Sequence, residues 1–261
     1  VNTNAKVGAI AIAVMLVAVG AVFMMPKASQ VKSAVAGMQD RVPLELVLLV
    51  DTSGSVDATE YNLQKQGYID AFRDTEVQTR IKEAGGIAVA YIEWSDANHQ
   101  SIRVPWTKLE TLEDCEDFAN KIVLVTRTHT GNTMMAPAIE FASAQLVNNG
   151  FESMKWIIDV SGDGVGQNWN FYVNGVEKSG HSDPEFYGTP WASVLASIPA
   201  GDSQINGICI TTEENVKSFY SDVLATANSG FMMQVDDFDQ FGIAIREKIL
   251  REVTSLPSVY D

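Results

Sequence analysis

Asp51, Ser53 and Ser55 stand at i, i+2 and i+4, with Gly54 between the two serines. Short oxygen-bearing side chains at that spacing, on a turn that glycine allows to tighten, can converge on one point. One carboxylate with two hydroxyls suits a hard cation. Such cations take oxygen ligands, and Mg²⁺ in particular keeps several waters and uses only one or two carboxylates. Alone the pattern is weak, because Asp and Ser form turns of this kind by bonding their own backbone. Its setting strengthens it, since it directly follows the apolar run LELVLLV at 44–50, which reads as a buried strand.

Other residue patterns argue against other chemistries. His99, His129 and His181 are scattered without H-x-x-x-H or H-E-x-x-H spacing, which disfavours a catalytic zinc site. His129 is the partial exception, four residues before Thr133 and read as bordering the cation. No nucleophile elbow, Walker loop or paired general base is present, so no catalytic residue is assigned. Asp236, Asp237 and Asp239 read as helix N-terminal acids rather than calcium ligands, and Asp159, within a strand, as a structural acid. Trp94, Trp106 and Trp191 read as packing residues. Cys115 and Cys209 are too few for a disulfide scaffold and read as two separate packed thiols.

The elements that must hold these side chains alternate. After the 44–50 strand comes a helix over 59–72, then strands at 86–94 and 101–106, the second expected as an antiparallel edge partner that tolerates Pro105. Helices follow at 112–122 and 134–147, and strands at 155–160 and 204–210. A helix near 214–226, a short strand at 231–234 and a helix from about 237 to 254 close the pattern. Alternation of this kind predicts a doubly wound, mainly parallel α/β sheet with one antiparallel edge strand. In such sheets ligands collect at the carboxyl ends of strands, near the switch in strand order. That places the chemistry after residues 50 and 160.

Asp51-x-Ser53-x-Ser55 resembles the D-x-S-x-S signature of von Willebrand factor A domains, at the end of the first strand where that family carries it. The resemblance implies a metal-ion-dependent adhesion site. It is completed by Thr133, in Thr130-Gly131-Asn132-Thr133, and by Asp163, in Ser161-Gly162-Asp163-Gly164. The stretches DTSGSVDATEYNLQKQGYIDAFRD, YIEWS with VPW, and IIDVSGDG are similar to a bacterial subgroup of these proteins, DUF1194, over most of 45–253. The chain departs from it at 168–190, a polar and aromatic insertion that follows Asp163 and would overhang the cation site. His129, Asn132, Asn168 and Trp169 are accordingly expected on a partner-binding rim.

Eighteen basic and 33 acidic side chains give a formal net charge of −15, a surface that repels a nucleic-acid backbone. Four of the basic residues, Lys6, Lys27, Lys32 and Arg41, precede Pro43 with only one acid, Asp40. Residues 7–25 carry no charged side chain over a stretch of bilayer-spanning length. They are read as a single-pass transmembrane anchor within 1–28, preceding the α/β domain as an apolar helix, with a cleaved secretory signal as the competing reading. Residues 29–43 then form a linker, 44–254 the domain and 255–261 a tail. The basic flank after the span favours a cytoplasmic domain, whereas proteins resembling it usually carry an export signal, and the exported side is preferred. The functional expectation is a membrane-tethered module in which Mg²⁺, or Mn²⁺ or Ca²⁺, is held by Asp51, Ser53, Ser55, Thr133 and Asp163. A protein partner's Asp or Glu completes the cation. The alternatives are a structural subunit of a membrane assembly or filament, and, less favoured, a metal-assisted hydrolase; the oligomeric state, homo- or hetero-, stays open.

Overall fold

The computed structural model describes residues 40–164, 170–173, 176–179, 194, 196–199, 201–225 and 229–256. Strand β1 (Asp40–Asp51) is central, and it pairs in parallel with β2 (Ile87–Trp94) on one side and with β4 (Phe151–Gly162) on the other. Beyond β2 lies the antiparallel edge strand β3 (Gln100–Leu109). Beyond β4 lie β7 (Asp202–Ile210) and β8 (Met232–Val235), both parallel. The order is therefore β3-β2-β1-β4-β7-β8. A separate two-stranded hairpin, β5 (Asn170–Val173) with β6 (Val176–Ser179), falls within the 168–190 insertion.

β1 lacks an apolar/polar alternation because both of its faces are covered. Leu44, Leu46, Leu48 and Val50 join one core with helix α1 (Ala58–Arg73), α2 (Thr75–Glu83), α3 (Leu112–Val123) and α6 (Phe241–Thr254). Val47 and Leu49 face the opposite core, built with α4 (Met135–Gln145) and with residues at the end of α5 (Glu214–Phe219). The start of α1 is set by Asp57. Its carboxylate accepts from the Thr59 and Glu60 N–H groups while Glu60 reaches back to the Asp57 N–H, a reciprocal capping box. Asp237 similarly accepts from the Gln240 N–H at 3.3 Å, bearing out its reading as an N-terminal acid.

Several boundaries differ from expectation. β1 starts at Asp40, so the segment read as linker up to Pro43 is partly sheet: Asp40, Arg41 and Val42 pair with Phe151, Glu152 and Ser153. β4 is correspondingly longer than its apolar portion. Helix α2 was not anticipated, because its nine residues carry one buried stripe (Val77, Gln78, Ile81) in an otherwise polar sequence; Asp74 caps it. The single helix expected over 214–226 is α5 followed by a π-helical turn, Tyr220–Ala225. Pro105 does lie on the edge strand, where the pairing with β2 slips. Cys115 and Cys209 are separate buried thiols. Trp94 is buried in the core, Trp106 packs against it, and Trp191 falls outside the described residues.

The expected membrane placement is corrected. Among the described residues no helix is long and apolar enough to cross a membrane. The longest, α1, has 16 residues, about 24 Å against the ~30 Å of a hydrocarbon core, and is amphipathic. The apolar 7–25 run lies outside the described residues, and neither a single-pass anchor nor an exported-side location is retained.

Candidate metal centre

The chain enters the sheet at its middle, runs outward through β2 and β3, and returns to β4 beside β1. The switch point therefore lies between the carboxyl ends of β1 and β4, where Asp51 and Asp163 stand. Hydrogen bonds brace the loops there. Gly54 N–H donates to the Gly131 carbonyl at 2.7 Å, and a side chain at Gly54 would press on that oxygen at 3.2 Å. Met134 N–H donates to the Ser95 carbonyl at 2.9 Å. Arg127 Nη2 donates to the Thr52 and Ser53 carbonyls, both at 2.7 Å, clamping the D-x-S-x-S turn from outside. Gln64, buried on α1, donates to the Asp51 carbonyl at 2.9 Å and accepts from Ser161 Oγ at 2.8 Å.

The structure brings together all five residues expected to hold the cation. Thr133 Oγ1 donates to Ser53 Oγ at 3.0 Å, Ser53 Oγ and Ser55 Oγ are 3.2 Å apart, and Ser55 Oγ donates to Asp163 Oδ1 at 2.8 Å. Asp51 Oδ1 accepts from the Ser53 N–H at 2.7 Å. Asp51 and Ser53 are buried at the floor and Ser55 is exposed at the mouth. Asp51 Oδ2 is buried without a hydrogen-bond partner among the described residues, an expensive state for a carboxylate oxygen.

Electrostatics mark the same spot. Burial above all, then the Asp163 charge, pushes the Asp51 carboxyl up to about 7, against the Ser53 hydrogen bonds and Arg127. Asp163 is also raised, by burial first, with Ser55 opposing and Glu60 and Glu213 adding to it. Two carboxylates that resist ionising side by side, next to three hydroxyls, form a donor set that a hard divalent cation fits. Among the described residues there is no cluster of three or more His, Cys, Asp or Glu suited to a metal; this set is hydroxyl-rich and holds only two carboxylates.

On the rim, His129 is exposed and stacks on His99, ring centroids 4.3 Å apart, while His99 Nδ1 sits 2.7 Å from Asp96 Oδ1. Asp96 packs against Gly131, where an added Cβ would meet its Oδ2 at 2.7 Å. Asn132 is exposed beside Thr133. Asn168 and Trp169 lie outside the described residues. Reading the sequence did not single out Gln64, Arg127 or Tyr220. Gln64 and Arg127 bind backbone carbonyls, and Tyr220 arrives from a distant helix, so no local pattern marks them.

The family described as "Protein of unknown function (DUF1194)" matches residues 41–257. No curated protein matches the chain. Among solved structures it is similar to proximal thread matrix protein 1 from the mussel byssus, at 16% identity and TM-score 0.57, over 82% of this chain and 49% of that one. A form of the mussel protein with a zinc-occupied MIDAS motif matches at TM-score 0.55 and 16% identity, over 84% and 48%. The pilus adhesin SpaC from Lactobacillus rhamnosus GG matches at 14% identity and TM-score 0.57, over 82% and 31%. A von Willebrand factor type A protein from Catenulispora acidiphila matches at 11% and 0.52, over 81% and 43%. The chain spans less than half the length of each of these structures, and at such identities the likeness is one of fold.

Proposed function

The chain belongs to the DUF1194 family and has a von Willebrand factor A fold, and from that premise we propose that it is a protein-interaction domain whose contact runs through a divalent cation. The observation that carries this reading is Asp51 Oδ2, a buried carboxylate oxygen with no described partner, at the floor of the oxygen set formed by Ser53, Ser55, Thr133 and Asp163. Asp51, Ser53, Ser55 and Thr133 would hold Mg²⁺ or Mn²⁺, with Asp163 bound directly or through water. The cation would supply positive charge with an open coordination position.

The protein's own part is to pre-form the cradle. Arg127 fixes the carbonyls of the turn, Gln64 fixes Asp51 from below, and the β1–β4 ladder sets the spacing of the two carboxylates. A bound cation reverses the local sign on an acidic protein, so that an Asp or Glu of a partner becomes a suitable ligand. The neighbours' names point the same way, one to a pilus adhesin and one to a zinc-occupied MIDAS motif.

Calorimetric titration of Mg²⁺ and Mn²⁺ into the full chain tests the site, with Asp51→Ala and Asp163→Ala checked for folding by circular dichroism. Saturable binding by the wild type that both variants lose supports it. A carboxylate-bearing peptide should then perturb the relaxation signal of bound Mn²⁺, and its Asn counterpart should not. A folded wild-type chain that takes up neither metal removes the cation-mediated reading.

A further inference from the structure

Tyr220 opens the π-helical turn that follows α5. Inserted π-helical residues re-aim the side chains around them and recur at functional sites. Here the ring lies over the face of the sheet that carries Val160 and Cys209 and reaches toward Asp51 through a slot that two glycines on adjacent strands leave open. An added Cβ at Gly207, on β7, would lie 2.7 Å from Tyr220 Cδ1 and 3.1 Å from Cε1. One at Gly162, the last residue of β4, would lie 3.2 Å from the Tyr220 hydroxyl and 2.6 Å from Asp51 Oδ2. The phenol and the free carboxylate oxygen thus converge beside Gly162.

Both atoms are buried, and neither has a hydrogen-bond partner among the described residues. Leaving a hydroxyl in that state costs about 1–3 kcal/mol, and what sets this one apart from the equally buried Tyr91 hydroxyl is its approach, beside Gly162, to Asp51 Oδ2. Phenylalanine would fill the same volume without the cost. The oxygen is a phenol, which carries a proton it can donate.

We propose that Tyr220 is a positioning residue of the cation site, its hydroxyl donating to Asp51 Oδ2 when the cation is bound and so orienting that carboxylate. The inference rests on the metal-binding reading above. A carboxylate oxygen offers two acceptor directions, so Oδ2 can serve the cation side and the phenol together, while Oδ1 stays with the Ser53 N–H. Outer-shell partners of this kind fix ligand orientation, and losing one typically weakens metal affinity about 10–100-fold.

The test is Mg²⁺ and Mn²⁺ titration of the full-length wild type, Tyr220→Phe and Tyr91→Phe. Tyr220→Phe removes only an oxygen that lacks a partner among the described residues, so the metal-free chain keeps or slightly gains thermal stability. Tyr91 is the matched control, its hydroxyl also buried and without a partner among the described residues, but on β2, outside the site. The expected result is at least a tenfold loss of affinity in Tyr220→Phe and none in Tyr91→Phe. Saturating metal should also give the wild type a tyrosine ultraviolet difference signal that Tyr220→Phe lacks and Tyr91→Phe retains. Wild-type affinity in Tyr220→Phe, or an equal loss in Tyr91→Phe, overturns the role of Tyr220 while leaving the cation site standing. No binding by the wild type overturns both.

Discussion

Lys248 has no exposed surface, and its Nζ lies 2.6 Å from Asp159 Oδ1 on β4 and 2.6 Å from Glu252 Oε1 one turn along α6. Asn206 Nδ2, on β7, also donates to Glu252 Oε1 at 2.7 Å. This cluster ties the last helix to the underside of the sheet, and it holds two carboxylates against one ammonium. Burial is the main force holding the Asp159 carboxyl well above the usual range; Lys248 draws it down and Glu252 pushes it up. Lys248→Met keeps the stem and deletes the charge, leaving two carboxylates facing each other. Breaking a buried pair in this way costs about 3–5 kcal/mol. Proton uptake gives a similar figure, since protonating an acid of unfolded pKa near 4 at pH 7 costs about 4 kcal/mol. At pH 5 the same step costs about 1.4 kcal/mol.

The sign is set by the raised folded-state pKa of the stranded acid. The stability held by its proton is present below about pH 4 and is lost as pH rises through the folded value. Lys248→Met is therefore expected to lose about 3–5 kcal/mol at pH 7 and roughly 2–3 kcal/mol less than that at pH 5. At about 2–4 °C per kcal/mol for a chain of this size, the pH 7 loss lowers Tm by on the order of 10 °C. Urea denaturation followed by circular dichroism at both pH values, with chelator present to silence the cation site, measures it. Adding Asp159→Asn to Lys248→Met should recover part of the loss by removing one of the opposed charges. A loss under about 1 kcal/mol at pH 7, or one equal at the two pH values, would refute the reasoning.

The proposed cation site carries further expected outcomes. Asp51, pushed up to about 7 in the metal-free chain, must give up its proton to bind a cation. Metal uptake should release close to one proton at pH 6 and little at pH 8, read by calorimetry in buffers of different ionisation enthalpy; equal release at both would count against it. Arg127→Met frees the Thr52 and Ser53 carbonyls and should weaken Mn²⁺ binding about 10-fold with a modest fall in Tm, since the clamp orients ligands rather than supplying one. Gly207→Ala puts a methyl 2.7 Å from the Tyr220 ring. It should cost about 1–3 kcal/mol of stability by overpacking, and an unchanged urea midpoint would show that the slot is not filled as described.

Much of the candidate metal centre was legible because it is local. Asp51, Ser53 and Ser55 lie within five residues of one another on a turn after an apolar strand, and Asp163 ends a second such strand. Alternation of strands and helices then implies that parallel strands end on the same side, which brings those two loops together. Thr133 could be placed only through family resemblance, because the 125–134 loop has no pattern of its own. The buried acid Asp159 could be recognised as structural from its place in a strand, but its partners, 89 and 93 residues further along the chain, could not.

Sequence alone determined the features that periodicity and short-range chemistry dictate: the α/β class, a central strand covered on both faces, the helix that becomes α1, and a cation-type oxygen set on the β1 turn. Tertiary structure decided the features that depend on approach between distant segments. Hydrogen bonds from Gln64 and Arg127 to backbone carbonyls leave no trace in residue pattern. The extension of β1 back to Asp40 exists because 151–153 are there to pair with it. The path of Tyr220 to Asp51 needs two glycines on different strands and one extra residue in a helical turn. Each of these features arises from contacts closed over long loops, and residue order specifies such contacts only through the packing of the whole domain.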